Sequence, residues 1–194
     1  MTSQIRAGHL MEELSGQVGG AELYELRSLG TPVRFQAGAL ESVKSVETTG
    51  RALRVIHEGR LGFSTTTDLA DDKVLVQNAL QSAQFGGPAP FEFPDRQPAE
   101  PVACFDPEVE GMDAAALIAL GEEVVEKLRA HDPDMQVDVT VSNEVEQVSL
   151  LNTSGLQVED RRTFLSIGMD VIRTRGDDIT ILWESASSHA AGEI

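Results

Sequence analysis

Six of the eight prolines of this chain stand between Gly86 and Gly111: Pro88, Pro90, Pro94, Pro98, Pro101 and Pro107. Proline fixes φ and offers no N–H, so no helix can run through this stretch and no central strand tolerates such spacing. The chain must therefore build one folded part before the connector and another after it. Phe91, Phe93 and Phe105 punctuate the connector and are expected to pin it to the core.

Both parts read as strands flanked by helices. Gln4 to Leu14 places Ile5, Leu10, Met11 and Leu14 at roughly helical spacing, and Gly19-Gly20 then breaks the chain. Ala21 to Leu29 reads as a strand, followed by a turn at Gly30-Thr31-Pro32. Val33 to Gln36 and Leu40 to Glu47 read as strands joined through Gly38. Arg51 to His57 and Arg60 to Thr65 form a hairpin around Glu58-Gly59, where glycine supplies the turn. Asp68 is the expected N-cap of a helix reaching about Phe85, with Asp71 and Asp72 near its positive end and Val74, Leu75, Ala79 and Leu80 on its buried face. After the connector, Asp113 caps a helix over Ala114 to Ala130, stopped by His131-Asp132-Pro133. Strands follow over Met135–Ser142, Val145–Leu151, Leu156–Arg173 (long or bent) and Asp178–Glu184. Runs of strands with hairpin turns, separated by helices, argue for an α+β fold with largely antiparallel or mixed sheets. The expected organisation is an N-terminal helix (1–18), a β-rich half with a helix (19–85), the connector (86–111) and a second α/β half (112–194).

A short pattern suggests that the halves are duplicated. Glu41, Val43 and Thr49-Gly50 stand at the same relative spacing as Glu146, Val148 and Ser154-Gly155. A glycine at one offset after a strand suggests one turn used twice, because glycine reaches positive φ without a Cβ penalty.

Composition removes several function classes. With 194 residues, 41% of them hydrophobic, the chain can bury a sizeable core. Its 32 acidic and 15 basic residues give a net charge of −17, which repels phosphate backbones and anionic membranes. The acidic residues are spread along the chain, as in a solvated surface. A lone cysteine, Cys104, can form no internal disulfide and has no base beside it in the sequence, so a catalytic thiol is disfavoured. No apolar run approaches a membrane span and the first residues lack a signal-peptide core. A soluble, cytoplasmic protein is expected.

The block VRFQAGALESVKSVETTGRALRVIHEGRLGFSTTTDL, followed by a proline-rich connector, resembles the N-terminal region of the TldD/PmbA family, also known as candidate modulators of DNA gyrase. The later NTSGLQVEDRRTFLSIGMDVI resembles that family's second block, in which an N-S-x-G turn precedes a long strand. The S-T-T-T-D-L and N-T-S-G versions look closer to the PmbA (TldE) branch. The resemblance covers residues 20–185 in order.

The resemblance implies a cytoplasmic two-subunit metallopeptidase system acting on peptides. In it, TldD-type subunits carry zinc on an H-E-x-x-x-H helix, and PmbA-type subunits lack that motif and pair with the metal-bearing subunit. Two histidines one helical turn apart can grip one zinc while the glutamate acts on its water. This sequence has no such helix: His9, His57, His131 and His189 are scattered, and neither His57-Glu58 nor the HLMEEL run after Gly8 supplies a second histidine. No catalytic or metal-binding residue is therefore expected in this chain; zinc is expected in a TldD-like partner subunit. Family members continue into a further domain, so the chain is expected to be the N-terminal part of a longer protein. The implied partners are that subunit or a second copy of the chain, together with a peptide substrate, and neither nucleic acid nor membrane.

Other constellations are weaker. Ser64-Thr65-Thr66-Thr67-Asp68 has hydroxyls without a base, and capping explains them. Gly86-Gly87 lacks phosphate-loop spacing. Arg161-Arg162 could hold a carboxylate by bidentate bonds, although Glu159 and Asp160 offset them. Asn152, Ser154, Gly155, Arg161 and Arg162 are the candidates for lining a peptide channel. The rival reading is a stand-alone acidic binding or regulatory module, acting for example on a basic protein such as a topoisomerase.

Overall fold

A computed structural model describes residues 3–96, 100 and 102–194, with side chains from Arg6 onward. Ile5, Pro98 and Pro101, used above, lie outside the residues or side chains so described. The elements run α1 (Ser3–Leu14), β1 (Gly20–Gln36), β2 (Ala39–Val43), β3 (Val46–His57), β4 (Arg60–Thr66), α2 (Asp72–Ala83), α3 (Pro107–Gly111), α4 (Ala114–His131), β5 (Met135–Asn152), β6 (Gln157–Arg175) and β7 (Asp178–Ser188), closing on a 3-10 turn at Ala191–Glu193. The strands hydrogen-bond in the order β4-β3-β1-β5-β6-β7, with β2 paired to β1. The hairpin pairs β1–β2, β3–β4 and β6–β7 are antiparallel. The α+β, strand-rich architecture expected from the sequence is the one observed.

Two compact units interleave along the chain. The first comprises residues up to Arg27, Thr48–Val102 and Gln147–Asp160; the second comprises Ser28–Glu47, Ala103–Glu146 and Arg161–Ile194. In the first unit α1 and α2 bury Ala7, Leu10, Leu14, Leu75 and Ala79 with Leu23, Leu53 and Val55 of the strands. In the second, Leu117 and Val125 of α4 and Val109 of α3 close over Val33, Phe35, Val137, Val139 and Leu165. Glycine sets the approach in each unit. A Cβ on Gly62 of β4 would lie 2.1 Å from the Ala79 carbonyl oxygen of α2, and one on Gly121 of α4 would lie 2.2 Å from the Phe35 ring.

The turns follow local chemistry. Ala37-Gly38 and Glu58-Gly59 all have positive φ, which matches two-residue hairpin loops to the strand twist. Asp71 caps α2, its carboxylate accepting from the Val74 N–H at 3.1 Å, and Asp113 caps α4 through the Ala116 N–H at 2.9 Å. Asp68, expected as the α2 cap, instead accepts from Ala70 N–H at 2.8 Å and closes a turn just before the helix. The helix consequently starts later and ends at Ala83; Val74 is exposed, while Leu75 and Ala79 are buried as expected and Ala83 joins them.

Several expected breaks are absent. β1 runs straight through Gly30-Thr31-Pro32: a Cβ on Gly30 would stand 3.3 Å from the Asn143 carbonyl oxygen, and the Pro32 carbonyl accepts from Lys44 N–H at 3.0 Å. β5 continues through Asn143-Glu144 because Asn143 is held by side-chain bonds to the Val109 and Met112 carbonyls, at 3.1 and 3.0 Å. Conversely, the strand expected over Leu40 to Glu47 ends at Val43, and β3 begins at Val46. Gly50 lies inside β3, whereas Gly155 sits in a turn at φ 90°, so the one turn used twice is not found. The connector ends in a short helix, α3, that the proline spacing argued against: Pro107 occupies its first turn, where a missing N–H costs nothing, and Asp106 caps it. Of the three aromatic pins only Phe93 is buried; Phe91 meets it edge-on at 6.0 Å and is itself half exposed. Among the described residues no helix is long and apolar enough to cross a membrane.

One buried cation organises the first unit. The Arg51 side chain is 1% exposed and pairs with Glu25 and with Asp72, each at 2.5 Å, and with the Leu69 carbonyl at 3.4 Å. Arg51→Ala would strip the partly buried Glu25 and Asp72 of the guanidinium they share, and urea unfolding should show a loss of about 3–5 kcal/mol. Gly62→Ala and Gly121→Ala should each cost about 1–3 kcal/mol by the same assay. Gly50→Ala, whose Cβ would meet only the Thr66 oxygen at 3.6 Å, should leave the midpoint nearly unchanged.

Candidate functional site

Three of the sequence candidates share the turn between β5 and β6. Asn152 is buried, and its side chain is engaged at both polar atoms: Oδ1 accepts from Ser154 N–H at 2.9 Å and Leu156 N–H at 3.0 Å, while Nδ2 donates to the Pro94 carbonyl at 2.7 Å. Between them Thr153 exchanges bonds with Ala21 of β1: its N–H donates to the Ala21 carbonyl, and its Oγ1 accepts from the Ala21 N–H, both at 2.9 Å. Asn152 thus fixes the turn and ties the proline-rich connector to it. Ser154 and Gly155 are exposed at the tip. All of these belong to the first unit.

Arg161 and Arg162 lie within β6, at the start of its part in the second unit. Arg161 pairs with Glu110 of α3, and its guanidinium lies 4.5 Å from the centre of the Phe105 ring. Its carbonyl accepts from the Cys104 thiol at 3.8 Å, so the lone cysteine is buried as a small packing residue. Arg162 pairs with Glu146 at 3.4 Å. The two arginines point to acidic partners within their own unit, and they and the Asn152 turn fall in different units.

A concave feature that the sequence reading did not anticipate lies in the second unit. An open groove of about 650 Å³ runs between the β1–β2 hairpin and α4, with Phe35, Leu40 and Val125 as apolar lining and Glu122, Glu126 and Arg129 as its charged groups. Arg129 donates to the Ala37 carbonyl at 2.6 Å and lies where a Cβ on Gly38 would be, 2.4 Å from its guanidinium carbon. The groove can seat an apolar group beside a charge; it holds no nucleophile–base pair.

Among the described residues no group of three or more His, Cys, Asp or Glu side chains is placed to hold an ion. His189 shows what the histidines do instead: it tilts against the Phe164 ring at 4.7 Å and its Nδ1 meets the Thr163 carbonyl at 2.7 Å, fastening the end of the chain to β6. Asp106 completes that fastening, accepting from Ala191 N–H at 2.9 Å and from Glu108 N–H at 2.8 Å.

Fold and site together describe an α+β domain with turns and grooves suited to contact and no visible catalytic constellation among the described residues. Comparison with known proteins gives it a family. Residues 21–83 match the model of PmbA/TldA metallopeptidase domain 1, and residues 107–193 match that of the PmbA/TldA metallopeptidase central domain. The chain belongs to the TldD/PmbA family. Among solved structures, it is similar to TldE from Thermococcus kodakarensis (TM-score 0.78, 13% identity, 97% of this chain and 43% of that one). It is also similar to a protein named as a candidate modulator of a DNA gyrase from Thermotoga maritima (0.80, 15%, 100% and 45%). A third, so named from Bacteroides thetaiotaomicron, gives 0.81, 17%, 98% and 46%. The chain therefore spans less than half the length of each. A search of curated proteins finds no significant match.

The Asp106 clamp predicts a pH response. Backbone donation from Ala191, and then from Glu108, holds its carboxyl below the ordinary value of 3.8. A depressed folded-state pKa contributes stability that is complete above the unfolded value and is lost as pH falls through the folded one. Protection of the Ala191 amide, its exchange measured against the intrinsic rate at each pH, should therefore fall as the solution is acidified below about pH 4, the ordinary carboxylate range. Asp106→Asn should remove that dependence.

Proposed function

We propose that this chain is a non-catalytic, PmbA/TldE-like part of a TldD/PmbA-type zinc metallopeptidase system that processes unfolded peptides in the cytoplasm. The observation that carries the reading is the match of two family models, first domain then central domain, in chain order. The residue chemistry supports a role in binding: the scattered histidines and the committed Arg161, Arg162 and Asn152 leave contact surfaces rather than a reaction centre. In this reading the zinc and its activated water belong to a TldD-like partner subunit. This chain helps enclose the peptide, and an extended substrate is held by backbone bonds to a sheet edge, which select for extension rather than sequence.

The −17 charge also favours the second reading, an acidic module that binds a basic partner without any peptidase role. Cleavage of labelled casein separates the two. The chain, tested in its parent protein and mixed with a TldD-like zinc subunit, should restore cleavage that neither gives alone. Equal cleavage by the zinc subunit without this chain, or cleavage by the isolated zinc-loaded chain, would overturn the proposal. Capture of a basic protein such as a topoisomerase, abolished by moderate salt, would favour the second reading instead.

A further inference from the structure

The two ends of the strand order are treated differently. At one end β4 is covered: α2 crosses its backbone at Gly62, the Phe63 N–H donates to Ser82 Oγ at 3.3 Å, and the Leu61 N–H donates to the Gly87 carbonyl at 3.0 Å. At the other end β7 pairs with β6 in unbroken register from Arg175↔Asp178 to Leu165↔Ser188. Its outer edge has no strand partner among the described residues. An edge strand is ordinarily kept short or is guarded by lysine, proline or a bulge. β7 has 11 residues and contains neither lysine nor proline.

Its side chains are those of a contact surface. Ile179, Ile181, Leu182 and Trp183 are 63%, 65%, 58% and 76% exposed. Alternation puts Ile179, Ile181 and Trp183 on one face, with Ile172 of β6 directly opposite Ile181. Thr180 and Leu182 share the other face with Asp178 and Glu184. Those two carboxylates bracket the apolar run, about 20 Å apart at strand rise. The neighbouring cations of β6 are engaged elsewhere, Arg173 and Arg175 both pairing with Asp132, at 3.4 and 3.3 Å. The edge is thus apolar in its middle and acidic at both ends, on a chain of net charge −17. A second copy would bring like charge to it; a basic extended segment would bring the complementary one.

The geometry points to β7 as a docking edge for an extended basic peptide, which adds as the next strand with apolar residues over Ile179, Ile181 and Trp183 and a cation opposite each of Asp178 and Glu184. This rests on the peptide-handling reading above and supplies the edge and the ligand chemistry that it lacks. The register defines a probe: Lys-Val-Thr-Val-Thr-Val-Lys, rhodamine-labelled, titrated by fluorescence anisotropy with the chain in its parent protein, where an edge covered by other parts of that protein would leave the probe unbound.

Binding should weaken with salt. It should fall by about tenfold or more when the lysines are replaced by glutamates, or when alternate amides are N-methylated so that backbone donors are lost. Trp183→Ser and the pair Asp178→Lys with Glu184→Lys change exposed side chains only, so each should keep the far-UV spectrum and the melting temperature while losing the peptide. Binding that survives these variants would overturn the edge assignment and leave the peptide-handling reading standing. Absence of binding, or self-association that Trp183→Ser abolishes in sedimentation, would overturn the docking proposal; restored cleavage with the zinc subunit would still decide the wider reading separately.

Discussion

The first unit depends on one guanidinium. Arg51 lies in β3, yet it reaches Glu25 of β1, Asp72 at the start of α2 and the Leu69 carbonyl just before that helix. A buried cation beside a helix N-terminus would ordinarily be repelled by the helix dipole. Here Asp72 supplies the opposing charge in the first turn, and Arg6 of α1 adds a second bond to the same carboxylate at 3.0 Å. The network therefore sets where α2 begins, independently of the hydrophobic face that decides how it lies. A purely apolar contact could slide by a turn; a guanidinium with carboxylates on two elements cannot, because displacing it strands buried charge.

From the placement of α2 follows the closure of the β4 edge. With the helix start fixed by Asp71 and Asp72, Ala79 arrives over Gly62 and Ser82 arrives at the Phe63 amide. Any side chain at position 62 would lift the helix and reopen that edge. Among the described residues β7 ends the strand order with no strand beyond it, and that gives its exposed isoleucines and tryptophan a meaning: isolated exposed apolar residues are ordinary, whereas a contiguous set on an edge strand is the kind of surface that makes contacts.

Much of this was legible in the sequence where the governing physics is local. The Glu58-Gly59 hairpin, the Asp113 cap and the end of α4 before Pro133 all rest on φ preferences or caps within a few residues, and the structure has each of them. What was missed is governed by partners far along the chain. Gly30 and Pro32 look like a turn until Asn143 is seen beside the glycine, and Asn143 looks like a strand break until α3 supplies its acceptors. Asp68 and Asp71 are equivalent as capping residues; only the salt-bridge pattern around Asp72 distinguishes them. For the site, the sequence brought Asn152 and Arg161 forward, but their hydrogen bonds to Pro94 and pairing with Glu110 are invisible without the fold. The apolar run ITILW was visible as a strand, but not that it would end a sheet.

The charge balance constrains the function further than the motifs do. The cations of this chain are largely spent internally: Arg34 pairs with Glu41, Arg54 with the buried Glu22, Arg161 with Glu110 and Arg173 with Asp132. Each such pair neutralises one carboxylate and leaves the excess of the 32 acidic residues facing solvent. A partner held by charge must then meet carboxylates, and a partner held by backbone bonds must meet an open strand. β7 offers both within one strand, between Asp178 and Glu184. The α4 groove, with Arg129 turned onto the Ala37 carbonyl, offers carboxylates beside an apolar lining of a size to seat one side chain. A ligand recognised by extension therefore has its better-matched surface at β7, and one recognised by a single side chain has it in the groove.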